Sequence, residues 1–188
     1  MPLACTTPLA MSSRRIGMKK EHVALAGLAV ALLTSCSSTV ALADPPGFPD
    51  LNAFAEVPAA DYTQSWGRGA PTVNFSTAEG IDCGFTAPKT LDGQNQLIHC
   101  DGPLPGLQDV TAKGSGPCDS GSVNQFDISH TKGACADVKP HRKVLGPGQK
   151  VSYGNVTCAV GGGGLIACIE RVNPERGFVL QPSGSFVF

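Results

Sequence analysis

Two short stretches carry residue types used in nucleophilic catalysis, Ile98-His99-Cys100 and Asp119-Ser120-Gly121. A serine hydrolase needs a histidine that takes the serine proton and a carboxylate that orients its other ring nitrogen. Chymotrypsin-like proteases draw these groups from two separate barrels, whereas His99 and Ser120 sit close together in one small domain. Cys118 also occupies the position where the nucleophile motif carries a glycine before the acid. A disulfide-anchored strand end and a turn are therefore expected here, and no catalytic residues are assigned. Gly161 to Gly164 has the composition of a phosphate-cradling loop, but such loops work by leading into a helix N-terminus. The following residues, Leu165 to Ile169 (LIACI), read as a strand, so the glycines are expected to form a hairpin turn.

Lys139, His141, Arg142 and Lys143, with Lys150 nearby, form the basic cluster of the chain. They are the candidate residues for contact with an anionic lipid or wall polymer, set against a plain solvated loop. His99, His130 and His141 stand apart and make no recognisable ligand set. No C-x-x-C pair or close Cys/His pair of zinc-ligand spacing is present, so neither a metal nor a cofactor is expected. Cys83, Cys100, Cys118, Cys135, Cys158 and Cys168 are read instead as a disulfide framework.

The elements that must position these residues are short. From Thr72 onward, β-type runs alternate with turn residues: TVNFS, IDCGF, QLIHC, VNQFDIS, KVSYGNVTCAV, LIACIERV, GFVL and SFVF. No stretch sustains a helical period, and the spacing predicts an all-β domain, a small sandwich or barrel of antiparallel strands. Residues 101–122 read as a long surface loop pinned by Cys118. Residues 44–71 read as a Pro-rich arm, extended with one helical turn near its start and packed on the domain through its aromatics. Residues 72–188 are the disulfide-stapled β-domain. Within Val156 to Ile169 (VTCAVGGGGLIACI), placing Cys158 opposite Cys168 leaves Gly162 to Gly164 as a three-residue loop, which needs positive φ. That register predicts Cys158–Cys168. Cys83–Cys100 and Cys118–Cys135 follow from the low cost of closing local loops. The C-terminus, with two short strands around Pro182-Ser-Gly-Ser185, reads as an edge hairpin.

The chain has 188 residues, with 23 glycines, 15 prolines and few aromatics, so a thin core is expected to need the disulfides. Residues 1–43 read as a leader. Arg14, Arg15, Lys19 and Lys20 precede an apolar run from Val23 to Leu33, the layout of a secretory signal peptide. The run is shorter than the roughly 20 residues that cross a bilayer. Two cleavage readings stay open. Leu33-Thr34-Ser35-Cys36 resembles a lipobox, in which Cys36 is acylated and anchors the chain to the membrane. Ala41-Leu42-Ala43 fits ordinary cleavage before Asp44. Four basic residues and only one acid, Glu21, lie in the leader, so the mature formal charge is about −4. That balance argues against a nucleic-acid partner.

Taken together, DPPGFPDLNAF after the leader, VNFSTAEGIDCGF, CDGPLPG, the Cys158–Cys168 hairpin and GFVLQPSGSFVF give the chain a resemblance. It resembles a group of small exported mycobacterial proteins of uncharacterised function, over most of the mature length. The resemblance implies an exported cell-envelope or culture-filtrate protein and brings no catalytic residues with it. Cys118 and Cys135 stand as an addition to that pattern. The expectation is a non-enzymatic binding or structural domain with an unidentified envelope ligand or protein partner. The alternatives are a hydrolase acting on an envelope component and a secreted protease inhibitor presenting residues 101–122.

Overall fold

In Ile98-His99-Cys100-Asp101 the isoleucine and cysteine are buried while the histidine and aspartate are exposed. This period-two pattern belongs to a strand with one solvent face. In Ile166-Ala167-Cys168-Ile169-Glu170 every residue is buried, so that strand is covered on both sides. The two patterns mark the two sheets of the domain. The computed structural model describes residues 44–65, 67, 69–87, 95–135 and 139–188. The leader, with Cys36, lies outside the described residues.

The strands in chain order are β1 (Ala55–Val57), β2 (Thr63–Gln64), β3 (Thr72–Ser76), β4 (Asp82–Thr86), β5 (Ile98–Gly102), β6 (Ala112–Gly114) and β7 (Cys118–Asn124). They continue with β8 (Ile128–Gly133), β9 (Gln149–Tyr153), β10 (Val156–Val160), β11 (Ile166–Glu170), β12 (Arg176–Leu180) and β13 (Phe186–Val187). One sheet has six strands in the order β1-β9-β10-β11-β12-β13, and the other has seven in the order β2-β3-β4-β5-β7-β8-β6. Both are mixed, because β1 runs parallel to β9 and β6 parallel to β8. The domain is all-β, as expected, and it is a sandwich. Val73, Phe75, Phe85 and Val123 of the seven-stranded sheet share one buried cluster with Val151, Cys158, Ile166 and Phe178 of the other.

The outer face of the six-stranded sheet is covered by the arm. Phe48, Leu51 and Phe54 pack on Ala159, Ile169 and Phe188. Asp50 caps the 3₁₀ turn Leu51–Ala53 by accepting from the Asn52 N–H. The arm is more than an extended cover, since β1 and β2 both lie in it and join one sheet each. The outer face of the seven-stranded sheet carries the alternate polar residues of β5 and β7, and it is this face that holds the site described below.

The glycine hairpin has the expected register: Cys158 faces Cys168 and Val160 faces Ile166. Gly163 and Gly164 take φ of 67° and 81°, the left-handed region that other residues enter at a cost. All three disulfides are the pairs expected from the sequence. Cys158–Cys168 and Cys83–Cys100 join directly opposed residues with Cα atoms 4.1 and 4.0 Å apart, and Cys118–Cys135 spans 5.0 Å. The C-terminal edge hairpin is present as β12 and β13.

Three expectations need correction. Residues 101–122 are not one long loop: β6 lies within them, and β7 begins at Cys118. The stretch Cys118-Asp-Ser-Gly-Ser has little β preference of its own, and pairing with β8 along its length, joined by β5 from Gly121 onward, places it in the sheet. The run VNQFDIS is not one strand but the tip of a hairpin. The Asn124 side-chain oxygen accepts from the N–H groups of Phe126 and Asp127, an Asx turn that ends β7. KVSYGNVTCAV likewise divides into β9 and β10, turning at Gly154.

A buried polar group ties the sheets together. Glu170 of β11 accepts from the Gln96 N–H just before β5. The Gln96 side chain donates to the carbonyls of Thr86 and Tyr153 and accepts from Asn155 N–H at 2.7 Å. Gln125 donates to the Gln96 carbonyl and accepts from Ile98 N–H. Burial raises the Glu170 carboxyl above its ordinary range, with the Gln96 N–H partly opposing.

Candidate binding cleft

Cross-strand register sets Ser76, Asp82, Asp101, Ser122 and Ser129 in one row. Their strand neighbours Phe75, Cys83, Cys100 and Val123 point the other way, into the core. The row is polar because this face of the sheet needs no apolar cover. Beside its Asp82 and Asp101 members lies a cleft of about 510 Å³, lined by these two and by Pro103, Pro117, Cys118, Asp119, Ser120, Lys139 and His141, among others. A volume of that order suits a small ligand or one unit of a polymer.

Asp82 organises one wall. It accepts from the Ser76 hydroxyl, and its second oxygen meets His141 Nδ1 at 2.8 Å. The Ser76 oxygen also accepts from Arg142 N–H at 2.8 Å, and Ser76 pairs by backbone with Val144. These bonds fasten the segment through His141 to Leu145 along the edge of β3. Partial burial pushes the Asp82 carboxyl upward, but hydrogen bonds from Ser76 and His141 outweigh it and hold the group below its ordinary range. The order of the three residues matters chemically. The serine donates to the carboxylate rather than to the imidazole, so His141 does not activate Ser76.

A second cluster lies beside the cleft and shares Asp119. The Asp119 carboxylate meets His130 Nε2 at 2.6 Å and Lys132 Nζ at 3.0 Å. His130 Nδ1 lies 3.0 Å from the Val110 carbonyl, on the connection between β5 and β6. The hydrogen bond to Asp119, helped by that carbonyl, raises the imidazole above its ordinary value, and the same bond with Lys132 lowers Asp119. The connection is held down further by buried Leu104 and Leu107. Gly106, at φ 63°, comes so close to the C-terminal turn that a Cβ would sit 2.0 Å from the Gln181 carbonyl oxygen.

The sequence candidates divide on the structure. His99 faces Asn124 across the sheet, four residues along β7 from Ser120. At about 3.3 Å per residue that separation is on the order of 13 Å, too far for a proton relay. Lys139 and His141 line the cleft. Arg142 donates to Gln64 Oε1, and Lys143 pairs with Asp61 at 2.9 Å and lies over the Tyr62 ring. Lys150 sits on the other sheet, donating to the Leu51 carbonyl with Glu56 3.9 Å away. The cations read from the sequence as one cluster are therefore distributed between the cleft wall and the arm. Among the described residues, no group of three or more His, Cys, Asp or Glu is placed to hold a metal ion.

Sequence reasoning did not single out Asp82 or Asp101, and it set Asp119 and His130 aside. The usable signal was the alternation in Asp82-Cys83 and His99-Cys100-Asp101, where each core cysteine places its neighbours on the outer face. Asp101 and Ser120 make no side-chain hydrogen bond among the described residues, and both face the cleft. Compared with known proteins, the chain matches no family model, no curated protein and no solved structure.

Proposed function

We propose that the chain is an exported, non-catalytic binding domain and that the cleft beside β7 is its ligand site. Three disulfides suit an oxidising compartment outside the cytoplasm, which agrees with the leader-like N-terminus. The observation that carries the reading is the pairing of a braced wall with open polar atoms. Asp82, His141 and Ser76 are engaged with one another, while the Asp101 carboxylate and Ser120 hydroxyl face the cleft without side-chain partners among the described residues. Such a site accepts hydrogen bonds from a ligand at Asp101 and exchanges them at Ser120, while Pro103 and Pro117 offer apolar contact. The ligand class that fits is an envelope component bearing hydroxyl or amino groups. The negative mature charge disfavours nucleic acid.

Calorimetric titration of the disulfide-intact domain with soluble wall-glycan fragments tests this. Saturable binding is expected, weakened about tenfold by Asp101→Asn or Ser120→Ala, the loss of one hydrogen bond to a charged or polar group. Turnover of a fragment would overturn the non-catalytic assignment. Binding unchanged in both variants would remove the site from this cleft.

A further inference from the structure

The three disulfides lie in different surroundings. Cys83–Cys100 and Cys158–Cys168 are sealed in the core, no residue of either pair being more than 3% exposed. Cys118–Cys135 lies at the surface: Cys118 is half-buried at the start of β7, and Cys135 is exposed two residues beyond the end of β8. Thiol–disulfide exchange requires a thiolate to reach a sulfur, so access separates the three bridges. The open bridge also belongs to the cleft. Cys118 lines it between Pro117 and Asp119, and Ala134, next to Cys135, lines it as well. Lys139 and His141 line the same cleft, and His141 and Arg142 are fastened there through Asp82 and Ser76. The bridge and that hydrogen-bonded anchor therefore both border the cleft.

We propose that Cys118–Cys135 is a thiol–disulfide exchange site, taken by a dithiol reductant, whose opening loosens one wall of the cleft while the sandwich stays folded. A thiolate of the reductant attacks Cys135 Sγ. The Sγ–Sγ bond breaks and Cys118 leaves as a thiolate that takes up a proton. The second thiol of the reductant then attacks its own sulfur in the mixed disulfide and releases Cys135. The reductant is oxidised to its disulfide, and the protein gains two electrons and two protons. The β7–β8 pairing from Gly121 to Val123 and the two core bridges hold the scaffold in both states. This site goes beyond the binding reading and does not depend on what the cleft holds.

The test uses the oxidised domain under native conditions. Dithiothreitol is added in steps, free thiols are alkylated, and each cysteine is mapped by peptide mass spectrometry. Cys118 and Cys135 are expected to carry label at reductant levels where the other four carry roughly tenfold less. A core pair labelling as early, or all six labelling together, overturns the proposal. Amide hydrogen exchange before and after limited reduction tests the second half. Faster exchange at residues 117–120 and 139–142, with β10 to β12 unchanged, is expected; unchanged exchange in the first two segments overturns the loosening of the wall. The double variant Cys118→Ser, Cys135→Ser should release no thiol at those reductant levels. It should also show the same fast exchange without reductant.

Discussion

Both ring nitrogens of His130 face acceptors, the Asp119 carboxylate and the Val110 carbonyl. Neutral imidazole has one N–H and satisfies only one of them, whereas imidazolium satisfies both. Lys132, on the same strand, is the opposing charge and bonds the same carboxylate. The His130 value is raised on folding, so its contribution to stability is complete below the unfolded value near about 6.5 and is lost as pH rises through the folded value. Asp119 runs the other way: its value is lowered, so its contribution is present above the unfolded carboxyl range and is lost as pH falls through the folded value. The pair thus supports the fold between mildly acidic and neutral pH. An NMR titration of the His130 ring is expected to show a midpoint above that of free imidazole, and Asp119→Asn should lower it. Equal midpoints in parent and variant would contradict the coupling. The partner of His130 was not legible in the sequence, because Asp119 reaches it only through the β7–β8 register and Val110 through the return of the preceding connection. Glu170 was equally hidden. A glutamate at the end of an apolar run reads as the point where a strand leaves the core, and only the closure of the second sheet over Gln96 buries it.

At the scale of elements, the disulfides offer a comparison in which two effects point in opposite directions. The chain-entropy account gives the larger stabilisation to the longer loop, with sequence separations of 17 for Cys118–Cys135 and 10 for Cys158–Cys168. The dependence is logarithmic, so the advantage is only about 0.5 kcal/mol. Packing favours the shorter one. Both of its cysteines have no solvent exposure, and truncation to alanine leaves cavities between the sheets, at a cost of order 1 kcal/mol or more. Denaturant unfolding is therefore expected to find Cys158→Ala/Cys168→Ala less stable than Cys118→Ala/Cys135→Ala, by about 0.5 kcal/mol or more. The reverse ranking would show that loop closure dominates. The hairpin bearing this bridge was legible because its signals are local: a glycine cluster between two β-type runs, with cysteines at matching distances. β7 was not, since its serines, glycine and aspartate carry no strand preference and only its two neighbours hold it extended. The arm was half legible. Its apolar residues announced packing, but the parallel pairing of β1 with β9 joins residues nearly a hundred positions apart and leaves no local trace.

At the scale of the whole molecule, the sandwich is unequal on its two sides. The arm covers the outer face of the six-stranded sheet, and the described chain begins there, with Asp44 paired to Arg171 at 2.7 Å and Phe48 packed edge-on against Phe188. The cleft opens on the outer face of the other sheet. Cys36 is the residue that decides whether the domain carries a lipid anchor. Several acyl chains on it would hold the domain firmly, since each buried methylene contributes about 0.8 kcal/mol and two chains suffice for stable attachment. Expressed in a bacterial host with its full leader, the parent is expected in the membrane fraction and Cys36→Ala in the soluble exported fraction. If parent and variant are released equally, each beginning at Asp44, there is no lipid anchor and Cys36 is removed with the leader.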